Sequence, residues 1–452
     1  MIRYYKDNLR LYLLLAVWLI VGIYSPAALY VVLSVSMLLM NQKNMWEELL
    51  IGYLFILILS DSYEPALRFA KDIKNVYISL LAFFFFYDNQ KFQPLNTLYK
   101  LFIPFFLFSL FTMLFSITDS FFFTSVQKTI SFAISFIVIP NIISKLNREK
   151  GSQFFRRFIF FAITVLLSGF VLKYLLHDFA YLEGGRYRGA LGSPNGLGIY
   201  SVLLFIIFFV VNDFFSTLFS NREQIFIYAV ILFSIYLTDS RNAILAICIF
   251  YVFQRFFSLS PFLGFVLFVI TIVLAELVSN NLVAIVTALG LQDLFRLNTL
   301  EDGSGRYVAW AFAWKQIQNN FFVGKGFAYN EFYMRQHYDL LSKLGHQGGI
   351  HNSFLTFWMD QGLIGLLIYL RSYILLFFDA SKKTRFAFPI MFALTFTALF
   401  ESWLVGSLSA YAFFAFFIFA IITSEEIQNR AVAESESEQV IETNGDILLA
   451  DT

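Results

Sequence analysis

About fourteen apolar runs, close-set and almost free of charge, leave this chain few ways to fold. They lie near 10–24, 26–40, 46–60, 73–87, 98–118, 121–143, 155–176, 195–211, 224–238, 242–257, 260–279, 352–376, 386–401 and 404–423. A helix needs roughly 20 mostly apolar residues to cross a bilayer. In lipid the backbone must satisfy its own hydrogen bonds, so such runs become helices. Of the 452 residues, 60 are Phe and only 14% are charged. A soluble core cannot hide that many aromatic rings. The expectation is an all-α polytopic membrane protein of about 14 transmembrane helices, with 12 as the lower count. Runs 26–40 and 46–60 are short enough to be tilted or re-entrant.

Residues 1–423 read as a single transmembrane domain. Within it, 280–350 is the one long hydrophilic stretch. Tyr307, Trp310, Trp314 and Ile317 recur there at helical spacing, which predicts an amphipathic helix in the membrane interface. Ser304 is its expected N-cap, and Gly324-Lys325-Gly326 its end. From 424 to 452 the chain is rich in Glu and Ser and reads as a disordered, acidic cytoplasmic tail.

Lys and Arg set the orientation. With the N-terminus in the cytoplasm, seventeen cations fall in short inward loops and six in short outward ones. The group Lys145, Arg148, Lys150, Arg156 and Arg157 is the strongest inward anchor. Both termini then lie inside. Arg186, Arg188, Arg241, Arg306, His351 and Glu401 gather on the outer side.

Several function classes fall away. A net charge of +1 gives no sign of a nucleic-acid partner. Cys248 is the single cysteine, so there is no intramolecular disulfide and no thiolate metal cluster. The histidines share no ligand spacing, and no outer Asp-x-Asp pair is present to carry a metal. No Walker motif occurs, so ATP is not the energy source and no cofactor is called for. The first apolar run follows Arg3, Lys6 and Arg10 but lacks a clean cleavage site, and reads as an uncleaved helix.

The candidate chemistry is cationic. Arg241 stands in Thr238-Asp239-Ser240-Arg241-Asn242-Ala243, between two apolar runs. A cation there either snorkels to headgroups or works in a polar cavity. Arg186 and Arg188 precede a glycine-bearing turn and Pro194-Asn195, which either opens the next helix or lets backbone approach an anion. Arg306 opens the amphipathic helix, where a cation opposes the helix dipole. His351 precedes Asn352 and Ser353, which can cap the following helix. It is either a boundary imidazole or an acid-base group. Glu401 ends a run and can pair with one of the arginines. Gly362 and Gly365 are expected to allow close helix packing.

These pieces resemble the O-antigen ligase and O-antigen polymerase superfamily of bacterial envelope proteins. The match runs through Arg188-Gly189-Ala190-Leu191-Gly192-Ser193-Pro194-Asn195-Gly196-Leu197 and Thr238 to Ala243. It continues with Gly303-Ser304-Gly305-Arg306 and Trp310, Gly324-Lys325-Gly326, His351-Asn352-Ser353-Phe354-Leu355 and Gly362-Leu363-Ile364-Gly365. One departure is Asn242, where many relatives carry Gly. The resemblance implies a GT-C-like polytopic glycosyltransferase that uses an undecaprenyl-diphosphate-linked glycan on the periplasmic face, without a nucleotide sugar. It implies Arg241 and Arg306 near the diphosphate and His351 near the acceptor hydroxyl as the catalytic set. The expected substrate contacts are Arg186, Arg188, Asn195, Asn352, Glu401 and Trp310. The acceptor is a second glycan, for a polymerase, or lipid A-core, for a ligase. Membrane lipids, a chain-length regulator and a flippase are the expected company. The competing class is a transporter or flippase of an anionic substrate, against which stand the lack of matched halves and of a buried acidic relay.

Overall fold

The computed structural model describes residues 2–87, 98–182, 185–271, 306–346, 348–405 and 408–434. Among these the chain is all-α. The helices in order are α1 Ile2–Asp7, α2 Leu9–Tyr24, α3 Pro26–Gln42, α4 Trp46–Asp61, α5 Phe69–Tyr87, α6 Leu98–Met113, α7 Phe122–Lys150, α8 Gln153–Leu175 and α9 His177–Ala180. They continue with α10 Pro194–Phe214, α11 Asn221–Thr238, α12 Arg241–Leu259 and α13 Pro261–Thr271. Then come α14 Arg306–Asn319, α15 Tyr329–Gln336, α16 Tyr338–Lys343, α17 Ser353–Ser381, α18 Ala387–Phe400, α19 Ala410–Thr423 and α20 Glu425–Glu434.

Each of the fourteen apolar runs holds a helix in its described part, and the protein is a polytopic membrane protein. Among the described residues, six helices are long and apolar enough to cross a membrane, or seven if the bent pair α19 and α20 counts as one span. The others are too short or carry charge, as α5 does with Lys71, Asp72 and Lys74. The basic group at 145–150 lies in helix rather than loop. Lys145 pairs with Glu149 one turn on, and Lys150 reaches Glu47 at 2.6 Å. Such pairs let charge continue a helix beyond its apolar part.

Local chemistry explains the helix starts. Ser193 accepts from Gly196 N at 3.0 Å, with Pro194 in the first turn of α10. Ser220 and Glu223 form a capping box on α11. Asn352 accepts from Leu355 N at 2.9 Å and starts α17. The expected cap Ser304 lies outside the described residues.

The chain divides into two compact units. The first holds residues 1–100, 131–247 and 406–452. Its centre is α19, buried along its whole length. Phe158 stacks on Phe417 of α19 at 4.1 Å, and Tyr200 donates to the Ala162 carbonyl at 3.1 Å. The tail does not begin in disorder. Residues Glu425–Glu434 are helical because Ile427 and Ala431 are buried and Glu426 pairs with Arg148 at 3.0 Å. Residues 435–452 lie outside the described set.

The second unit holds residues 101–130 and 248–405. Its core includes Ala309, Ala313 and Ile317 of α14, with Tyr329, Met334, Ile350 and Met359. The buried face of α14 is thus its small-residue face. Tyr307 and Trp314, expected at one interfacial stripe with Ile317, are 57% and 40% exposed. Trp314 instead sets its ring edge-on to Trp358 at 5.3 Å.

Helix α17 is broken at Gly362, whose φ of 70° no side chain adopts easily. Leu363 N and Ile364 N donate to the carbonyls of Phe321 and Phe322 at 2.8 and 3.2 Å. Gly326 N donates to Asp360 O at 2.8 Å. The segment 321–326 therefore supplies the partners that the break removes, as irregular backbone inside an apolar bundle requires. Beside it the fully buried Asp360 carboxylate accepts from Ala328 N, Asn330 N and Asn330 Nδ2 at 2.7 to 3.2 Å. Gly362 is thus a break point as well as a close contact, since a Cβ there would strike the Phe322 carbonyl and Gly324 N.

Candidate functional site

In the second unit, three sequence-distant segments meet at one carboxylate. Glu401 follows the end of α18 and its side chain is 11% exposed. Its Oε1 accepts from Arg306 NH2 at 2.8 Å, and its Oε2 bonds Nδ1 of His351 at 2.9 Å. Arg306 opens α14, and its guanidinium lies 5.9 Å from the Phe400 ring centre. The backbone around the pair is tied as well. Ser353 Oγ donates to Glu401 O at 2.7 Å, and Asn352 N donates to Ser402 Oγ at 3.0 Å.

An ionised Glu401 can only accept, so His351 must donate through Nδ1–H. In the neutral imidazole the lone pair is then on Nε2. Among the described residues Nε2 has no hydrogen-bond partner. It faces Gly348, where an added Cβ would stand 3.1 Å away. A side chain at 348 would crowd the one nitrogen able to take a proton. His351 itself holds a left-handed φ of 53°. Such a conformation in a residue other than Gly is held by surrounding contacts and recurs at working sites.

His346 borders the pair. It is buried, its Nε2 bonds Gly349 O at 2.9 Å, and its ring stands edge-on to His351 at 5.7 Å. Burial pushes its pKa below the ordinary value, the hydrogen bond to Gly349 O opposes this, and the charge of Arg306 adds to the lowering. Trp310 donates Nε1–H to Ile350 O at 2.9 Å and so fixes the residue before His351. Two expected substrate contacts are therefore already engaged within the fold. Trp310 has its only N–H on a carbonyl, and Asn352 has its side-chain oxygen on the α17 cap.

In the first unit, the motifs at 188–197 and 238–243 come together. Arg186 NH2 donates to Asn195 Oδ1 and to Thr238 O, both at 3.1 Å. Thr238 ends α11, Asp239 turns the chain in the left-handed region at φ 58°, and Arg241 opens α12, half-buried. Arg186, Asn195 and the turn before Arg241 thus form one polar group.

Arg188 does not join them. It is 6% exposed and donates to Phe179 O at 2.8 Å and Glu64 Oε1 at 2.9 Å. This guanidinium braces the loop from inside, apart from the group formed by Arg186 and Asn195. Gly192 is not an approach for a bound anion either. Its N donates to Asp61 Oδ2 at 2.8 Å, and a Cβ there would strike the Asp61 carbonyl. Asp61 also accepts from Tyr411 at 2.7 Å.

Sequence reasoning missed the bond between Glu401 and His351, which are fifty positions apart, and it considered His346 only as a metal ligand. The one available signal was a carboxylate at the end of an apolar run. A cluster of this kind can accept a proton at Nε2 and hold an anion through Arg306. Among the described residues, Arg306 uses one of its N–H groups on Glu401 and leaves others for a ligand.

Residues 226–370 match the family described as O-antigen ligase. The matched region includes Arg241, Arg306, Trp310 and His351. No curated protein matches the chain in sequence. The resemblance seen in the motifs is borne out, and it points to membrane glycan biosynthesis of the O-antigen ligase and polymerase type by a glycosyltransferase-like enzyme.

Proposed function

We propose, from that family likeness and from the His351–Glu401–Arg306 cluster, that the chain polymerises glycan repeat units carried on undecaprenyl diphosphate. His351 Nε2 takes the proton of an acceptor sugar hydroxyl. The acceptor oxygen bonds to the anomeric carbon of the donor while the bond from that carbon to the diphosphate oxygen breaks. The electron pair leaves with the diphosphate. Preorganised N–H donors of Arg306 stabilise that charge, an effect on the order of several kcal/mol in a water-poor site. Proton removal by His351 adds roughly 10²- to 10⁴-fold. Glu401 holds the tautomer that leaves Nε2 basic. Arg241 keeps the role that the resemblance implies for it, on the donor diphosphate.

The cluster carries this reading because a base fixed by a carboxylate, beside a guanidinium with donors to spare, suits transfer from a diphosphate. The excess of cations at 145–157 supports a cytoplasmic location for that stretch and a periplasmic one for His351 in a bacterial inner membrane. The description of the matched family favours a second reading, in which lipid A-core is the acceptor. The polysaccharide profile of a deletion strain separates the two. Lipid capped with a single repeat indicates a lost polymerase, and free lipid-linked polymer indicates a lost ligase. In purified protein, His351→Ala should bind donor nearly normally and fail in transfer. Transfer at the wild-type rate would reduce His351 to a helix-boundary residue and end this mechanism.

A further inference from the structure

Two cavities adjoin at the end of the first unit where α2, α4 and α8 begin and α3 ends. One, of about 370 Å³, is lined by Tyr4, Glu48, Gln153, Arg156 and Arg157. The other, of about 490 Å³, has an apolar wall of Leu11, Leu14, Leu39 and Met40, with Arg10 and Lys43 also in its lining. Asp7, Asn8 and Glu48 line both. A chamber lined by both arginines and carboxylates therefore continues into one with an apolar wall at a boundary of the apolar bundle.

The polar groups there are unevenly matched. Glu48 Oε2 is buried with no hydrogen-bond donor among the described residues. A buried carboxylate oxygen without a donor is costly, and natural structures rarely leave one. Arg156 pairs with Glu223 at 2.7 Å and Arg157 with Glu47 at 3.2 Å. Their side chains remain 34% and 45% exposed, with N–H groups to spare. The site thus offers donors for an anion, an acceptor awaiting N–H, and an apolar wall.

We propose that this composite cavity binds one phospholipid with a primary-ammonium head group. The phosphate takes N–H donors from Arg156 and Arg157. The ammonium donates to Glu48 Oε2, and Asp7 adds negative charge beside it. An acyl chain lies along Leu11, Leu14 and Leu39. A free phosphate has no use for the apolar wall. An anionic glycerol head group brings no cation to Glu48. A choline head group brings a cation but no N–H. The proposal is independent of the glycan reaction.

The test is native mass spectrometry of the full-length protein in detergent, supplied with phosphatidylethanolamine, phosphatidylglycerol or phosphatidylcholine. The ethanolamine lipid should be retained several-fold better than the other two. Glu48→Gln, which keeps the shape and removes the charge, should lower its retention to the level of the choline lipid and leave the glycerol lipid unchanged. Leu14→Trp, which fills the apolar wall, should lower all three. Free phosphoethanolamine should displace the ethanolamine lipid from wild-type protein, so the result does not depend on a variant folding. Equal retention of the three lipids by wild-type protein, or unchanged selectivity in Glu48→Gln, would overturn the proposal.

Discussion

Glu401 Oε2 lies 2.9 Å from Nδ1 of His351, and its other oxygen lies 2.8 Å from Arg306. One carboxylate thus sets both the tautomer of the candidate base and the position of the candidate diphosphate ligand. Glu401→Gln keeps the shape but no longer requires Nδ1–H as donor. Transfer should fall by about 10²-fold or more, mainly in kcat, with donor binding changed little. Glu401→Asp should recover part of the loss. An unchanged kcat in Glu401→Gln would show that the carboxylate only braces the fold.

The two arginines should respond to loss of geometry as well as loss of charge. Arg241→Lys and Arg306→Lys keep a cation but lose the planar fork, so both should remain severely impaired. Arg241→Ala should weaken donor binding by about tenfold or more, equivalent to about 1.4 kcal/mol. Unchanged donor affinity in Arg241→Ala would shift attention to Arg186.

His346 predicts an acid-sensitive loop. Burial lowers its folded pKa below the unfolded value. The unfolded chain therefore binds a proton more readily as pH falls, and stability drops in that direction. The contribution is fully present above about pH 6.5 and is lost below it. The His346 amide donates to Leu341 O at 2.9 Å, and its protection, meaning its exchange rate corrected for the intrinsic pH dependence, should fall as pH is lowered through that window. In His346→Gln, which can still donate to Gly349 O, the pH dependence should flatten. An equally steep profile in the variant would assign the effect to another group.

Transfer should survive chelation, because the proposed stabilisation of the leaving diphosphate comes from guanidinium groups. Purified protein given a lipid-diphosphate glycan should keep its rate in EDTA. A loss restored by magnesium or manganese would reveal a metal site.

Charge asymmetry predicts that Lys325 faces the periplasm. A topology reporter fused beside it should behave as periplasmic. Cytoplasmic activity at that point would invert the orientation and remove the proposed access of His351 to its substrates.

Much of the architecture was legible because apolar length is a local property. The runs at 155–176 and 195–211 needed only their own residues to mark α8 and α10. The partner of Lys150 is Glu47, about a hundred positions away, so the extension of α7 to Lys150 escaped the reading even though Lys145 has its partner Glu149 one turn on. The break at Gly362 escaped it too, since the apolar pattern runs on through it and the partners of the break come from Phe321 and Phe322. In the candidate site, His351 and Arg306 stood out as polar groups at apolar boundaries. Their joint tie to Glu401 required the fold, as did the inward turn of Arg188. Motif spacing indicates which residue types gather, but not which way a guanidinium points.

The break in α17 also constrains how this chain assembles. Its amides at Leu363 and Ile364 depend on carbonyls at Phe321 and Phe322. The nascent chain carries 321–326 out of the ribosome before it carries Gly362. The plug is therefore already synthesised when the helix that needs it emerges, and the helix need not wait in lipid with bare amides. Reversing that order by circular permutation between the two segments should trap α17 during insertion, even though every final contact is the same.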